Sequence, residues 1–278
     1  MKPTQNMFAD EPVEEKTKPK RQTKPKMVEE VEVEETTAPL PANILDLPSK
    51  GQFGYDASIQ YRDMLAKDEE ILASATADNY ARTLNGVLKS ILMDCSFFES
   101  LCVHDRDYAL IWLWANNYET KKTLEIECSS CGHEDKHTVD LTKLDVVDPK
   151  EEFTGAFTLP LKNGGEVTVR LNTVGDEINA EKHMIKDKNH RYEYLMLVQS
   201  IDVGLPMMLD AKIKWVGENI TAREMAIIKE FHKHYAYGVK TRLEHKCSSC
   251  SEVTNFDLPF SVEDILRPSV QFDFEEYV

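Results

Sequence analysis

Two copies of one tetrapeptide, Cys128-Ser129-Ser130-Cys131 and Cys247-Ser248-Ser249-Cys250, decide the fold of this chain. Within each copy, here called the first and the second knuckle, the two-residue spacing lets both thiolates of one tight turn face the same ion. Zinc prefers four such ligands in a tetrahedron, and two knuckles supply four sulfurs. We therefore predict one structural zinc ion with four ligands, Cys128, Cys131, Cys247 and Cys250.

The residues on either side of the knuckles repeat as well. Strand-like residues lead into the first knuckle at 124–127 and leave it at 138–141, and the second knuckle is flanked in the same way by 243–246 and 253–258. Alternation of apolar and polar side chains is typical of half-buried strands. Each knuckle is thus predicted to join two strands, and the two hairpins to close as the halves of a split zinc ribbon.

Other roles for a Cys-x-x-Cys pair stay open at this point: a redox dithiol, a disulfide or two idle thiols. A thioredoxin-like pair follows a strand at the start of a helix, usually once per domain, whereas this chain has two copies with strand-like flanks. The first ten residues lack the apolar stretch of a signal peptide, so we expect an intracellular protein whose thiols stay reduced. That expectation favours a metal over a disulfide. Cys95 and Cys102 lie in an apolar stretch and are predicted to be packing residues.

The charge of the chain argues against several kinds of partner. Its 278 residues include 49 acidic and 33 basic side chains, which gives a net charge of −16. A field of this sign repels phosphate backbones, so we expect no nucleic-acid partner, although a zinc-ribbon nucleic-acid-binding protein with a basic arm at 16–26 is the alternative function. No apolar run approaches the roughly 20 residues that span a bilayer, so we expect no membrane partner.

Composition and periodicity divide the chain into four parts. Residues 1–41 are rich in charge and proline and are predicted to be a disordered tail. Residues 42–120 are predicted to be a helical region, and 121–268 a split zinc-ribbon domain that carries a β-hairpin and a helical insertion. Residues 269–278 are an acidic-aromatic tail, which could dock on a partner or pack on its own domain. The predicted fold class is α+β, mainly helical, with β-hairpins and a four-cysteine zinc ribbon.

Individual elements follow from apolar spacing and from capping or turn residues. A short strand is predicted near Ile59 and Tyr61, while 210–216 stays unassigned. Lys162-Asn163-Gly164-Gly165 predicts a tight turn between strands 155–161 and 166–171, with Pro160 on an edge strand. Thr221 and Glu224 form a predicted capping box. The predicted helices cover 66–75, 78–93, 105–117, 173–187, 189–201 and 221–237.

No catalytic residues are predicted. His133-Glu134-Asp135-Lys136-His137 matches the H-E-x-x-H pattern of zinc proteases, which requires a helix to bring both histidines to one ion. This segment runs into a predicted strand, where residues four apart are about 13 Å from each other, so a metalloprotease is the weaker alternative. His104-Asp105-Arg106-Asp107 is interpreted as a helix cap and a surface ion pair, and His232 and His234 as members of a solvated helix face.

The order and spacing of several segments resemble those of a known family. The segments are 47–51 (LPSKG), 104–107 (HDRD), 127–132 (ECSSCG), 157–161 (FTLPL), 169–173 (VRLNT), the second knuckle and 258–260 (LPF). Together they resemble the baseplate hub assembly family of T4-like contractile-tailed phages, over about residues 45–268.

The resemblance implies a function without enzymatic chemistry. It implies an assembly factor (a chaperone) or a component of the phage baseplate hub, which acts by protein–protein binding. The implied partners are other tail and baseplate hub proteins. The implied location is the host cell cytoplasm during assembly, or the tail baseplate of the virion.

Overall fold

The computed structural model describes residues 43–76, 79–118 and 120–258 of the chain. Within these ranges the fold is α+β, as predicted, with seven α-helices and a set of small antiparallel sheets. The helices are α1 (Ala66–Ala73), α2 (Tyr80–Ile91), α3 (Val103–Asn117), α4 (Val174–Lys186), α5 (Tyr192–Ser200), α6 (Leu209–Asn219) and α7 (Ala222–His234).

The strands pair mostly with their neighbours along the chain. They are β1 (Asn43–Asp46), β2 (Ser58–Tyr61), β3 (Lys121–Glu127), β4 (Glu134–Asp140), β5 (Val146–Val147), β6 (Ala156–Pro160), β7 (Glu166–Arg170), β8 (Ile201–Asp202), β9 (Gly238–Val239), β10 (Arg242–Lys246) and β11 (Val253–Asp257). Antiparallel pairs form between β1 and β2, β3 and β4, β10 and β11, and β5 and β9, while β6, β7 and β8 make a three-stranded sheet in that order. The pairing of β5 with β9 joins segments on either side of the helical insertion.

Helix α3 contacts both hydrophobic cores of the described residues. Ala109 and Leu113 belong to the larger core, together with side chains from α2, α4, α5 and the β6–β8 sheet. Ile111 and Trp114, on another side of the same helix, belong to a smaller core under the two knuckle hairpins. Each apolar side chain that α3 buries stabilises the core it belongs to, by roughly 25 cal/mol per Å² of buried apolar surface. Helix α3 therefore contributes to the stability of both the larger and the smaller core.

Most predicted elements are confirmed, with shifts at their ends. The hairpin around Asn163 forms, and Pro160 lies on β6, an edge strand of its three-stranded sheet. Thr221 caps α7 by accepting a hydrogen bond from the Glu224 amide, and the Glu224 carboxylate accepts from the Thr221 amide. The unassigned stretch 210–216 lies within α6.

The interpretation of residues 104–107 as a cap and a surface pair is wrong. Helix α3 begins at Val103, and Asp105 is buried, where its carboxylate accepts hydrogen bonds from the Ser49 amide (3.0 Å) and the Tyr55 hydroxyl. Arg106 is also buried: its Nε lies 2.7 Å from Oδ1 of the exposed Asp107, and its Nη1 pairs with Glu177 of α4. Both charged groups found partners that are distant in sequence, which a local pattern does not reveal.

The solvated-face interpretation is wrong for His232 as well. His232 is half-buried, its Nε2 is fully covered, and that atom has no hydrogen-bond partner within the described ranges. His234, two residues later on α7, is exposed, as predicted. The tails at 1–41 and 269–278 lie outside the described residues, and the domain division at 120/121 stays a prediction.

Candidate metal centre

The two knuckles have the same backbone structure. At the first knuckle the Cys128 amide donates to the carbonyl of His133 (2.9 Å), and the Gly132 amide donates to the carbonyl of Cys128 (2.9 Å). Strands β3 and β4 continue from this turn in a seven-residue ladder from Glu127 and Glu134 onward. The predicted strand–knuckle–strand arrangement is confirmed here.

The second knuckle repeats these bonds between β10 and β11. The Cys247 amide donates to the carbonyl of Glu252 (2.9 Å), and the Ser251 amide donates to the carbonyl of Cys247 (3.0 Å). The residue after the second cysteine is left-handed in both copies, with φ of 69° at Gly132 and 64° at Ser251. Glycine adopts this conformation freely and serine does so at a cost, so the second knuckle carries local backbone strain.

The fold brings all four knuckle cysteines together. Sγ of Cys128 lies 3.6 Å from Sγ of Cys250, and Sγ of Cys131 lies 3.7 Å from Sγ of Cys247, although the paired residues are 122 and 116 positions apart in the chain. All four sulfurs lie within 4.8 Å of one another. Four sulfurs around one tetrahedral zinc ion are about 3.8 Å apart, whereas a disulfide bond is about 2.0 Å long. These four residues, here called the cysteine cluster, lie close enough to hold a metal ion.

The local electrostatics differ between cysteines of the cluster. Backbone N–H groups of Cys131 and Ser130 donate to the Cys128 sulfur and lower the pKa of this thiol to about 6. At Cys250 the Glu252 backbone N–H acts in the same direction, but the three neighbouring cysteine sulfurs and burial together outweigh it and raise the pKa of this thiol to about 12. Crowded thiolates repel one another, and a bound cation is the group that relieves such repulsion.

Asp135 connects the two hairpins beside the cysteine cluster. Its carboxylate, on β4, accepts hydrogen bonds from the backbone N–H (2.9 Å) and the hydroxyl (2.5 Å) of Ser248 in the second knuckle. It also accepts from Nε2 of His245 (3.0 Å), whose Nδ1 lies 3.1 Å from Nδ1 of His137. Hydrogen bonds from Ser248 and then from His245 lower the pKa of Asp135 far below its usual range.

The sequence analysis did not predict that Asp135 connects the two hairpins, although the alternation of side chains along a strand indicates which residues share a face. Asp135 and His137 are two apart on β4, and His245 and Cys247 are two apart at the end of β10, so each pair shares a face. The H-E-x-x-H interpretation fails on the same strand, because Glu134 and His137 lie in β4 and not on a helix. His137 contacts His245 of the other hairpin instead.

A large cavity lies away from the cysteine cluster. It is a groove of about 740 Å³ between α2, α3 and α4, lined by apolar side chains such as Leu84, Leu110 and Met184. Its polar residues include Arg106 and Glu177, which are already paired with each other. The groove therefore offers an apolar surface over a satisfied ion pair.

Comparison with known proteins places this architecture in a family. Within the described residues no helix has both the length and the apolar character that crossing a membrane requires. Searches of the curated proteins and of the solved structures return no significant match. The family described as T4 bacteriophage base plate protein matches residues 41–267, a span that contains both knuckles and the helices between them. The chain therefore belongs to the T4 bacteriophage base plate protein family.

Proposed function

We propose that this protein has a non-enzymatic role in the baseplate hub of a contractile-tailed phage, either as an assembly factor or as a component of the hub. We also propose that a structural zinc ion joins the two hairpins of its zinc ribbon. Family membership supports the baseplate role. The convergence of four cysteine sulfurs from two distant knuckles is the observation that supports the zinc ion. The partners are other tail and hub proteins, met in the host cytoplasm during assembly.

The donor set decides the choice of metal. Thiolates select soft or borderline ions such as zinc, copper(I) and iron–sulfur clusters, and two Cys-x-x-Cys turns with tetrahedral sulfur spacing are typical of structural zinc. Four protein ligands complete the coordination of zinc and leave no position for a substrate. Zinc at the cysteine cluster would therefore act on stability, by fixing the β3–β4 hairpin to the β10–β11 hairpin.

The metal is tested on untagged, full-length protein substituted with cobalt. Thiolate ligands give cobalt(II) an intense sulfur-to-metal charge-transfer absorption that oxygen and nitrogen ligands do not produce. We expect this absorption in the wild type and in Cys95→Ser, and a weaker absorption per cobalt ion in Cys250→Ser, which keeps only three of the four thiolates. Cys95 is a matched control because it is a buried cysteine outside the cysteine cluster. A wild type without the absorption, or a Cys250→Ser variant with the full wild-type intensity per cobalt ion, would contradict the zinc proposal.

The hub role is tested in infected cells and in purified virions. We expect immunoprecipitation from infected cells to recover tail or hub proteins together with this chain. Mass spectrometry of virions then separates the two forms of the role: a component is present in the particle, and an assembly factor is absent from it. Failure to recover any tail protein at any stage of infection would count against both forms.

Loss of the ion should also weaken binding to the hub partner. The two hairpins cover the smaller core, so a metal-free protein presents an altered surface on that side. We expect Cys250→Ser to reduce recovery of tail proteins and Cys95→Ser to leave it unchanged. Equal recovery with both variants would mean that the partner binds a part of the molecule that does not depend on the cysteine cluster.

A further inference from the structure

A second group of metal-ligating side chains lies where α4 ends and the chain turns toward α5. His183 is in the last turns of α4, Asp187 is the residue that caps its C-terminal end, and His190 follows in the turn. Each offers one ligand atom, and the three atoms lie within 4.8 Å of one another. None of these residues belongs to the cysteine cluster, and no sequence motif pointed to them.

The surroundings of His183 are typical of a metal-binding histidine. Its side chain is only 9% exposed, and Nδ1 lies 2.9 Å from Oδ1 of Asp210 at the start of α6. Nε2 is buried and has no hydrogen-bond partner among the residues that the structure describes. A carboxylate on one ring nitrogen fixes the proton there and leaves a lone pair on the other, which is the arrangement that supports metal-bound histidines.

Leaving Nε2 of His183 without a partner is costly. A buried polar atom that makes no hydrogen bond loses its contacts with water and gains nothing in return, so native structures rarely contain one without a reason. A metal ion at this nitrogen would remove the cost. The unpartnered nitrogen is therefore an observation of its own, independent of the closeness of the three ligand atoms.

Asp187 and His190 are positioned by contacts within the turn. Oδ1 of Asp187 accepts a hydrogen bond from the Asn189 amide (2.9 Å), which folds the turn back toward α4. The His190 ring stacks on Tyr194, with 5.7 Å between ring centroids, and lies 5.8 Å from the His183 ring. Both residues are half-buried, so ion and water can reach the group from one side.

The position also suits a cation electrostatically. The C-terminal end of a helix carries a partial negative charge, and Asp187 adds a full one at the end of α4. Neighbouring ligands of a zinc ion with bonds of about 2.1 Å lie about 3.4 Å apart, so a small closure of the half-buried turn would complete the geometry.

We propose that His183, Asp187 and His190 bind a divalent transition-metal ion, zinc in the cell, with water in the remaining coordination position. Two imidazoles and one carboxylate suit zinc, nickel or cobalt, and not the oxygen-preferring magnesium and calcium. Asp210 acts through His183 as a positioning residue. The ion pins the end of α4 to the turn before α5, and the proposal is independent of the role in the hub.

The test is a cobalt titration of untagged, metal-free full-length protein, followed by mass spectrometry under native conditions. We expect two ions per wild-type chain: one with the thiolate absorption and one without it. Asp187→Asn and His190→Asn should each bind only the ion with the thiolate absorption. Both residues are half-buried in a turn, and circular dichroism should verify that the variants are folded. His234→Asn, on exposed α7 surface, should still bind two ions.

Asp210→Asn separates a metal site from a simple ion pair. If His183 only forms an ion pair with Asp210, this change does not affect metal content. If Asp210 orients a ligand, we expect a 10–100-fold weaker affinity for the ion without thiolate absorption. The proposal would be overturned if the wild type binds no ion without thiolate absorption. It would also be overturned if Asp187→Asn and His190→Asn both still bind that ion. Because the thiolate absorption reports the cysteine cluster separately, failure of one site is distinguishable from failure of the other.

Discussion

Arg106 of α3 and Glu177 of α4 form a two-pronged ion pair inside the molecule, with Nη1 2.5 Å from Oε2 and Nη2 2.9 Å from Oε1. Their side chains are 6% and 10% exposed. Asn85 bonds to both partners, and the Tyr192 hydroxyl donates to Glu177. Burial opposes the charge on Glu177, but the Arg106 guanidinium outweighs it and lowers the pKa of this carboxyl. Four helices thus meet at one satisfied polar group.

Glu177→Gln should destabilise the fold by about 1.5–3 kcal/mol, because it removes the buried charged acceptor of Arg106 and leaves only the exposed Asp107 carboxylate as its counter-charge. The measurement is the free energy of unfolding from urea titrations at constant zinc. Glu218→Gln is the control, since Glu218 forms an exposed pair with Lys214 at 3.9 Å, and this change should cost less than about 0.5 kcal/mol. Similar losses for the two variants would show that the buried pair is not a special contributor.

Ser251→Gly should stabilise the protein by roughly 0.5–1 kcal/mol, because it relieves a left-handed serine in the second knuckle. The reverse change in the first knuckle, Gly132→Ser, should destabilise by about 1 kcal/mol. A side chain at Gly132 has space, since the nearest atom is Oε1 of Glu127 at 4.0 Å, so the cost there is conformational. Thermal unfolding of the two variants at equal zinc concentration measures both changes in stability. The prediction requires Ser251→Gly to raise the stability and Gly132→Ser to lower it.

His232 should make stability depend on pH. Burial, followed by the nearby His104 and Arg170, lowers the pKa of His232 to about 4. The unfolded chain takes up this proton near pH 6.5 and the folded chain only near pH 4, so stability falls as pH decreases through this window.

The His232→Gln variant isolates this contribution. It should show a shallower loss of unfolding free energy than the wild type between pH 6.5 and 4, measured by urea titration at each pH. Some slope remains, because burial also lowers the pKa of His104. His234→Gln, on the exposed end of α7, is the matched control and should follow the wild-type curve. A His232→Gln curve parallel to the wild type would contradict the prediction.

Asp135→Asn should weaken metal retention at the cysteine cluster without removing a ligand. The asparagine amide cannot accept from Ser248 and His245 through both of its terminal atoms, so one connection between the hairpins is lost. We expect about 10-fold faster transfer of the ion to a chelator, in line with other residues that support ligands. Asp140→Asn is the control: Asp140 lies on the same strand, its carboxylate accepts from the Thr142 amide and pairs with Lys143, and its loss should leave the transfer rate unchanged.

Local sequence patterns were sufficient for the two knuckle hairpins, the β6–β7 hairpin and six of the seven described α-helices, whereas α6 stayed unassigned. Alternation, the Asn163 turn and the capping box of Thr221 and Glu224 all depend on residues close together in the chain. The pairing of the two knuckles was predicted because a tetrahedral ion needs four sulfurs and each turn supplies two. The structure places those sulfurs together, and the identity of the ion stays a prediction.

Local patterns failed where the partner was remote. Asp105 has the residue type of a helix cap, but it bonds to Ser49, 56 positions away, and Arg106 pairs with Glu177, 71 positions away. His183 and Asp210 likewise meet although they are 27 positions apart (210 − 183) and lie on different helices. Single-sequence reasoning has no means to choose among many such distant partners, so buried polar pairs and the second ligand group were missed.

The distance between the two knuckles along the chain determines when each one is translated. Cys250 follows Cys128 by 122 positions, and a ribosome adds about 5–20 residues per second. The first turn therefore leaves the exit tunnel on the order of ten seconds before its counterpart exists, with half a coordination sphere and no means of completing it. All four helices of the insertion precede Cys247 and have been translated by the time the second turn is made. Capture of the proposed ion would therefore be a late step, taken after the helices that the two turns enclose are already available to fold.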